Sequence, residues 1–165
     1  MKRYVFDLDN TLVYTDKLNT EAYNFALMQI GRKPIENVQR ITRNVVLSHY
    51  ALDENEIHDL IALKQKFFAQ NIKKVCINRE MVSFLRKLDP EKCILWTRAE
   101  QSRTECILEE FELKNCFLNI LYSSKTDIAK DIRAICEIFQ CQQEDLRFYD
   151  DELGMVSCYF GCKNI

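Results

Sequence analysis

The spacing of apolar positions changes along the chain, and the change divides it. Residues 4–8 form a short apolar run rich in β-formers, which predicts a strand. A long stretch of helical spacing follows. Residues 19–30 place Ala22, Phe25, Ala26 and Ile30 on one face and end at Gly31. Pro34 suits the first turn of a second helix, with Ile35, Val38, Ile41 and Val45 in phase. Asp53 and Glu56 have the D-x-x-E spacing of a capping box ahead of Ile57, Leu60, Ile61, Lys64 and Phe68, which predicts a third helix. From there the pattern alternates. Residues 78–88 read as a helix that stops at Asp89-Pro90, 93–96 as a strand, 101–111 as a helix and 117–122 as a strand. Residues 126–139 read as a helix with Ile128, Ile132, Ile135 and Phe139 in register, and 146–149 as a strand. Strands alternating with helices predict an α/β fold, a parallel sheet with right-handed crossovers. Three consecutive helices after the first strand predict an inserted helical cap over residues 15–75, with residues 1–14 and 76–165 forming the core.

A length of 165 residues suits one compact domain with a small insert, and 47% hydrophobic residues suffice to bury a core. A net charge of −2 gives no reason to expect a nucleic-acid or anionic-membrane partner. No stretch approaches a membrane span and the first ten residues do not read as a leader, so a cytoplasmic location is expected. The 8 cysteines contain no C-x-x-C pair, and neither His49 nor His58 lies near a cysteine pair, so reduced, buried thiols are expected rather than a zinc site. The histidines are expected on the surface of cap helices, and Phe67, Phe68 and Trp96 in the core.

In open α/β sheets, ligands bind outside the carboxyl ends of the strands. Here those ends carry Asp7-Leu8-Asp9-Asn10-Thr11, then Trp96-Thr97-Arg98, then Ser123-Ser124-Lys125, then Asp150-Asp151-Glu152. Carboxylates brought together repel unless a cation lies among them, and hard oxygen ligands suit Mg²⁺ with substrate phosphate oxygens beside it. Phosphoryl transfer needs charge neutralisation around the moving group, which Lys125 and the metal can supply. The Thr97 hydroxyl and backbone N–H groups after Asp7 can bind phosphate oxygens, and Asn10 and Arg98 are further candidates at the same edge. An aspartate can attack phosphorus, and a second acid must then protonate the leaving oxygen and activate water; Asp9 is placed for that task. Lys130 is the rival to Lys125.

The segment YVFDLDNTLV resembles the first motif of the haloacid dehalogenase superfamily, D-x-D-x-[TV]. ILWT resembles its second motif, Lys125 its third, and RFYDDE its fourth, in order along the chain. The resemblance implies a doubly wound, Rossmann-like core with a helical cap that closes as a lid over a small phosphorylated metabolite. It implies Asp7 as nucleophile and metal ligand, and Asp9 as acid/base with its carbonyl on Mg²⁺. Thr97 and Lys125 would bind phosphate, and Asp150 and Asp151 would complete the metal shell. The dehalogenase branch lacks the second aspartate of the first motif, so Asp9 points to a phosphatase acting through an aspartyl-phosphate. Only residues 152–165 follow the fourth motif, where the family usually has a further helix and strand, so a short sheet is expected at that edge.

Three other functions stay open at this level. A phosphomutase such as β-phosphoglucomutase shares the residues and the cap. A receiver-like signalling domain also gathers acids, Mg²⁺, Thr and Lys on a parallel sheet, but without the D-x-D-x-T spacing or the insert. A phosphate-binding scaffold that has lost turnover is opposed by the complete acidic set.

Overall fold

The computed structural model describes residues 1–152. The elements in chain order are β1 (Arg3–Phe6), β2 (Val13–Tyr14), α1 (Asp16–Gln29), α2 (Arg43–His49), α3 (Glu54–Gln70), β3 (Cys76–Ile77), α4 (Arg79–Leu85), β4 (Cys93–Thr97), α5 (Gln101–Glu110), β5 (Asn119–Tyr122), α6 (Ile128–Phe139) and β6 (Leu146–Tyr149). The chain divides into two compact units, Met1–Val13 with Ile77–Ile165, and Tyr14–Cys76.

The first unit is built on a parallel sheet of order β5-β4-β1-β6. The fold is α/β with the predicted parallel sheet. Alternation along the strands sorts side chains to two faces. Val5, Ile94, Trp96 and Leu146 pack with Ile128, Ile132, Ile135 and Phe139 of α6. On the opposite face Phe6 stacks on Tyr149 at 4.9 Å between ring centroids, and Phe84 of α4 lies 5.3 Å from the same tyrosine. Helices on both faces explain why β4 is buried along its whole length, CILWT, and reads as a continuous apolar run. The register Phe6↔Tyr149 ends β1 and β6 level, and β4 runs on from Leu95, the partner of Phe6, to Thr97, so the polar residues that follow these parallel strands emerge at one edge.

The second unit has its own core of Tyr23, Ala26, Leu27, Ile35, Ile41, Val46 and Leu60. The Asp53 capping box starts α3 as its spacing predicts, with both reciprocal hydrogen bonds formed. Lys64 lies on the buried side of α3 with its ammonium 5.1 Å from the Tyr23 ring centroid. The second predicted helix is corrected. It begins only after Thr42, whose side chain accepts from Val45 N–H, and Pro34 starts no helix. Ile35 and Ile41 are buried nonetheless, because α1 satisfies their backbone in place of helical bonds. The Asn24 amide both donates to Ile35 C=O (3.1 Å) and accepts from Ile35 N–H (2.9 Å). Asn19 donates to Ile41 C=O (2.9 Å), and Thr20 accepts from Ile41 N–H (3.1 Å).

Smaller corrections concern termini and thiols. The helix read over 78–88 ends at Leu85, capped at its start by Asn78. The short pair β2 and β3 carries no apolar run long enough to be read as strands. Of the cysteines described, all are free; Cys93 is buried, Cys76 is exposed and the rest are half-buried. Cys158, Cys162 and the expected short edge after the fourth motif fall in residues 153–165, outside the described residues. No helix among the described residues is long and apolar enough to cross a membrane.

Candidate active site

The carboxyl edge of the sheet gathers side chains from three loops. Asp7 extends β1 by one further ladder bond, its N–H donating to Tyr149 C=O at 2.8 Å. Beyond it the chain turns tightly: Leu12 and Val13 N–H both donate to Leu8 C=O, and Asn10 adopts a left-handed backbone with φ 60°. Asparagine tolerates that conformation better than most residues, which gives Asn10 a local role. Its side chain also hydrogen-bonds the Asp151 carboxylate.

Asp7, Asp150 and Asp151 present carboxylate oxygens that all lie within 4.8 Å of one another. Lys125 reaches into this group, with Nζ 2.7 Å from both Asp7 Oδ1 and Asp150 Oδ2. Its ammonium is buried, as are the two carboxylates it bridges. Lys125 holds a left-handed backbone, φ 54°, which costs a non-glycine residue about 1–3 kcal/mol and persists only where surroundings enforce it. Lys130 is exposed on α6, so Lys125 is the lysine at the acids.

The electrostatics follow from burial. Burial pushes the Asp7 carboxyl up to about 6; Lys125 pulls the other way, and Asp150 and Asp9 add to the rise. The Asp151 carboxyl is also raised, by burial first and then by Asp150 and Glu152, against the Asn10 hydrogen bond. Three carboxylates face one bridging ammonium, a surplus of negative charge made only of hard oxygen donors. That donor set fits a hard divalent cation such as Mg²⁺ and offers nothing to a soft one.

Other predicted residues are placed differently. Thr97 is buried, and its hydroxyl accepts from Ala99 N–H at 3.0 Å, which fixes the oxygen and leaves its proton to donate. Arg98 is exposed and ion-paired with Glu152 at 2.8 Å. Asp9 is buried and lies in a two-pronged ion pair with Arg103: Nη1 donates to Oδ1 at 3.0 Å and Nη2 to Oδ2 at 2.5 Å. Its side chain is therefore engaged by α5 rather than grouped with the three acids. Arg103 had no signal in the sequence, since it reads as one more charge on an amphipathic helix. Thr11 lies in the first motif and carries no expected role of its own. Its hydroxyl accepts from Asp151 N–H at 3.2 Å and so ties the loop after β1 to the loop after β6.

Residues 4–155 match the haloacid dehalogenase-like hydrolase family. The chain belongs to that family. Solved structures agree on the fold. A haloacid dehalogenase-superfamily hydrolase of subfamily IA from Geobacter sulfurreducens superposes with a TM-score of 0.74 at 15% identity, over 96% of this chain and 84% of that one. A predicted phosphoglycolate phosphatase from Haemophilus somnus gives 0.68 at 16% identity, over 90% and 76%. A candidate β-phosphoglucomutase from Thermotoga maritima gives 0.64 at 19% identity, over 90% and 75%. A comparison with curated proteins finds no match. Asp7, Asp9, Thr97, Lys125, Asp150 and Asp151 of this haloacid dehalogenase-like hydrolase all lie within the matched residues.

Proposed function

We propose that this hydrolase is a Mg²⁺-dependent phosphatase that cleaves a small phosphate monoester through an aspartyl-phosphate on Asp7. The observation that carries the reading is the meeting of Asp7, Asp150 and Asp151 around the Lys125 ammonium. Asp7, Asp150, Asp151 and the Asp9 carbonyl would hold the metal, which when bound withdraws charge from phosphate oxygens. The remaining steps belong to the chain's own groups. Lys125 and the Thr97 hydroxyl bind and orient the phosphoryl oxygens. An Asp7 oxygen forms a bond to phosphorus as the bond to the leaving oxygen breaks, and Asp9 supplies the proton that oxygen needs. Asp9 then takes a proton from water, whose oxygen attacks phosphorus, and the Asp7–phosphorus bond breaks to release inorganic phosphate. The helical insert, residues 15–75, is assigned the choice of substrate.

Turnover of p-nitrophenyl phosphate, with and without EDTA, tests the metal and the nucleophile together. Wild type should require Mg²⁺, and mass spectrometry of acid-quenched protein should find phosphate on the peptide containing Asp7. Asp7→Asn should lose both turnover and adduct. Full turnover in excess EDTA, or an adduct on another residue, overturns the mechanism. A panel of sugar phosphates, nucleotides and small phosphorylated acids then separates hydrolysis from transfer: free phosphate supports the phosphatase, and an isomeric phosphate ester supports a mutase.

A further inference from the structure

The ammonium at the centre of the acidic group is held from behind as well as in front. Lys125 N–H donates to Ser123 Oγ at 3.0 Å. The Ser123 hydroxyl donates in turn to Asp131 Oδ2. The same carboxylate oxygen accepts from Trp96 Nε1–H at 3.1 Å. The Trp96 ring then returns to Lys125, with Nζ 4.5 Å from its centroid. The contacts close a ring: lysine backbone, serine hydroxyl, aspartate, indole, lysine ammonium. Three parts of the fold contribute, namely β4 with Trp96, the loop after β5 with Ser123 and Lys125, and the first turn of α6 with Asp131.

The ring answers two questions that the acidic group alone leaves open. One is what enforces the left-handed backbone at Lys125; a hydroxyl whose own proton is committed to Asp131 is fixed in rotation and presents its lone pairs to Lys125 N–H. The other is what holds a flexible four-carbon side chain in one place between two carboxylates. An indole face attracts an ammonium only over the ring, and Asp131 fixes that ring by its one N–H. We propose that Asp131 is a positioning residue for Lys125, acting through Ser123 on its backbone and through Trp96 on its ammonium. For its effect on turnover, the inference rests on the reading of Lys125 as a phosphate-binding group; for its effect on Lys125 itself, it does not.

Trp96 is the chain's single tryptophan, so its emission reports the ring directly. Lys125→Ala should change the Trp96 emission spectrum. Ser123→Ala leaves the Asp131–Trp96 bond in place, so it should change emission in the same direction by releasing Lys125. Added to Lys125→Ala, it should change nothing further. Ser123→Ala acting equally in both backgrounds, or Lys125→Ala leaving emission unmoved, overturns the proposal. Turnover of p-nitrophenyl phosphate supplies the second cycle. Asp131→Ala should lower kcat/KM about 10–10²-fold, the scale of a misplaced catalytic group, while Asp131→Asn, which keeps an acceptor oxygen, should recover most of it. In the Lys125→Ala background the Asp131→Ala loss should shrink to less than about threefold, because residues acting through one another are not additive. A merely structural aspartate would give the same loss in both backgrounds, and that result sinks the inference. Wild type without turnover but with an intact emission cycle would instead remove the phosphatase reading and leave the ring standing.

Discussion

Asp9 commits both carboxylate oxygens to Arg103. Proton transfer needs one of them free, so the Asp9 side chain must leave part of this pair during the proposed cycle. The two steps assigned to Asp9 make different demands on it. An activated aryl phosphate has a leaving group that needs little protonation, whereas breakdown of the aspartyl-phosphate needs a base to activate water. Asp9→Asn should therefore accumulate phosphoenzyme with p-nitrophenyl phosphate and lose about 10²–10⁴-fold in turnover, and with an alkyl phosphate it should not label at all. Quenched-protein mass spectrometry reads both outcomes; rapid turnover without adduct would remove Asp9 from the second step.

Asp7 makes a prediction about stability in chelated protein. Its carboxyl, ordinarily near 3.8, is raised to about 6 chiefly by burial. A group with a raised folded pKa binds more protons folded than unfolded. The stability it contributes is complete below about 3.8 and lost as pH rises through about 6. Asp7→Asn carries no charge to bury, so in EDTA it should gain on wild type across that window, by on the order of 1–3 kcal/mol at neutral pH. Thermal denaturation at pH 4 and pH 7.5 checks this; an advantage at pH 4 that fades by 7.5 would reverse the sign.

Elements were legible where local spacing decides them. The β4 run CILWT, the Asp53 capping box and the α6 stripe of Ile128, Ile132 and Ile135 each sit within a few residues of their cause. The polar ends of the core strands were legible for the same reason, and with them Asp7, Asp150, Asp151 and Lys125. The stretch before α2 was not. Ile35, Val38 and Ile41 have helical spacing, but the backbone of Ile35 and Ile41 is satisfied by α1 side chains, reached across 11 residues from Asn24 and 22 from Asn19. Arg103 and the Asp131–Trp96 bond were hidden likewise, since Asp9 lies 94 residues from Arg103 and Trp96 lies 35 from Asp131. Asn24→Ala should thus act as more than a surface change. It strips both bonds from Ile35, a residue only 4% exposed, and should cost about 1–3 kcal/mol. Gln101→Ala removes only an exposed bond to Glu105 and should cost about 0.5 kcal/mol or less. Equal Tm shifts in the two variants would mean that the segment before α2 does not depend on Asn24.

The chain forms two compact units, each with a cluster of buried apolar side chains of its own. Within the sheet unit, Asn78 N–H donates to Leu12 C=O at 2.9 Å, so the chain re-enters beside the point where it leaves. The groups proposed for chemistry, Asp7, Asp9, Thr97, Lys125, Asp150 and Asp151, all belong to this unit. So do Arg103, Ser123 and Asp131, which hold them. The cluster around α6 and the Phe6–Tyr149 stack on the other face are both made of residues of this unit. Replacing Tyr14–Cys76 with a short turn should therefore leave a chain that unfolds cooperatively and keeps the α/β circular-dichroism signature. If the insert chooses substrate and the sheet unit does chemistry, the shortened protein should still turn over p-nitrophenyl phosphate in Mg²⁺. The spread of kcat/KM across the phosphate panel should narrow toward a common value, because the unit that discriminates is gone. A folded, shortened protein with the same substrate ranking as the full chain would place selection in the sheet unit. One that fails to unfold cooperatively would show that the two cores depend on each other.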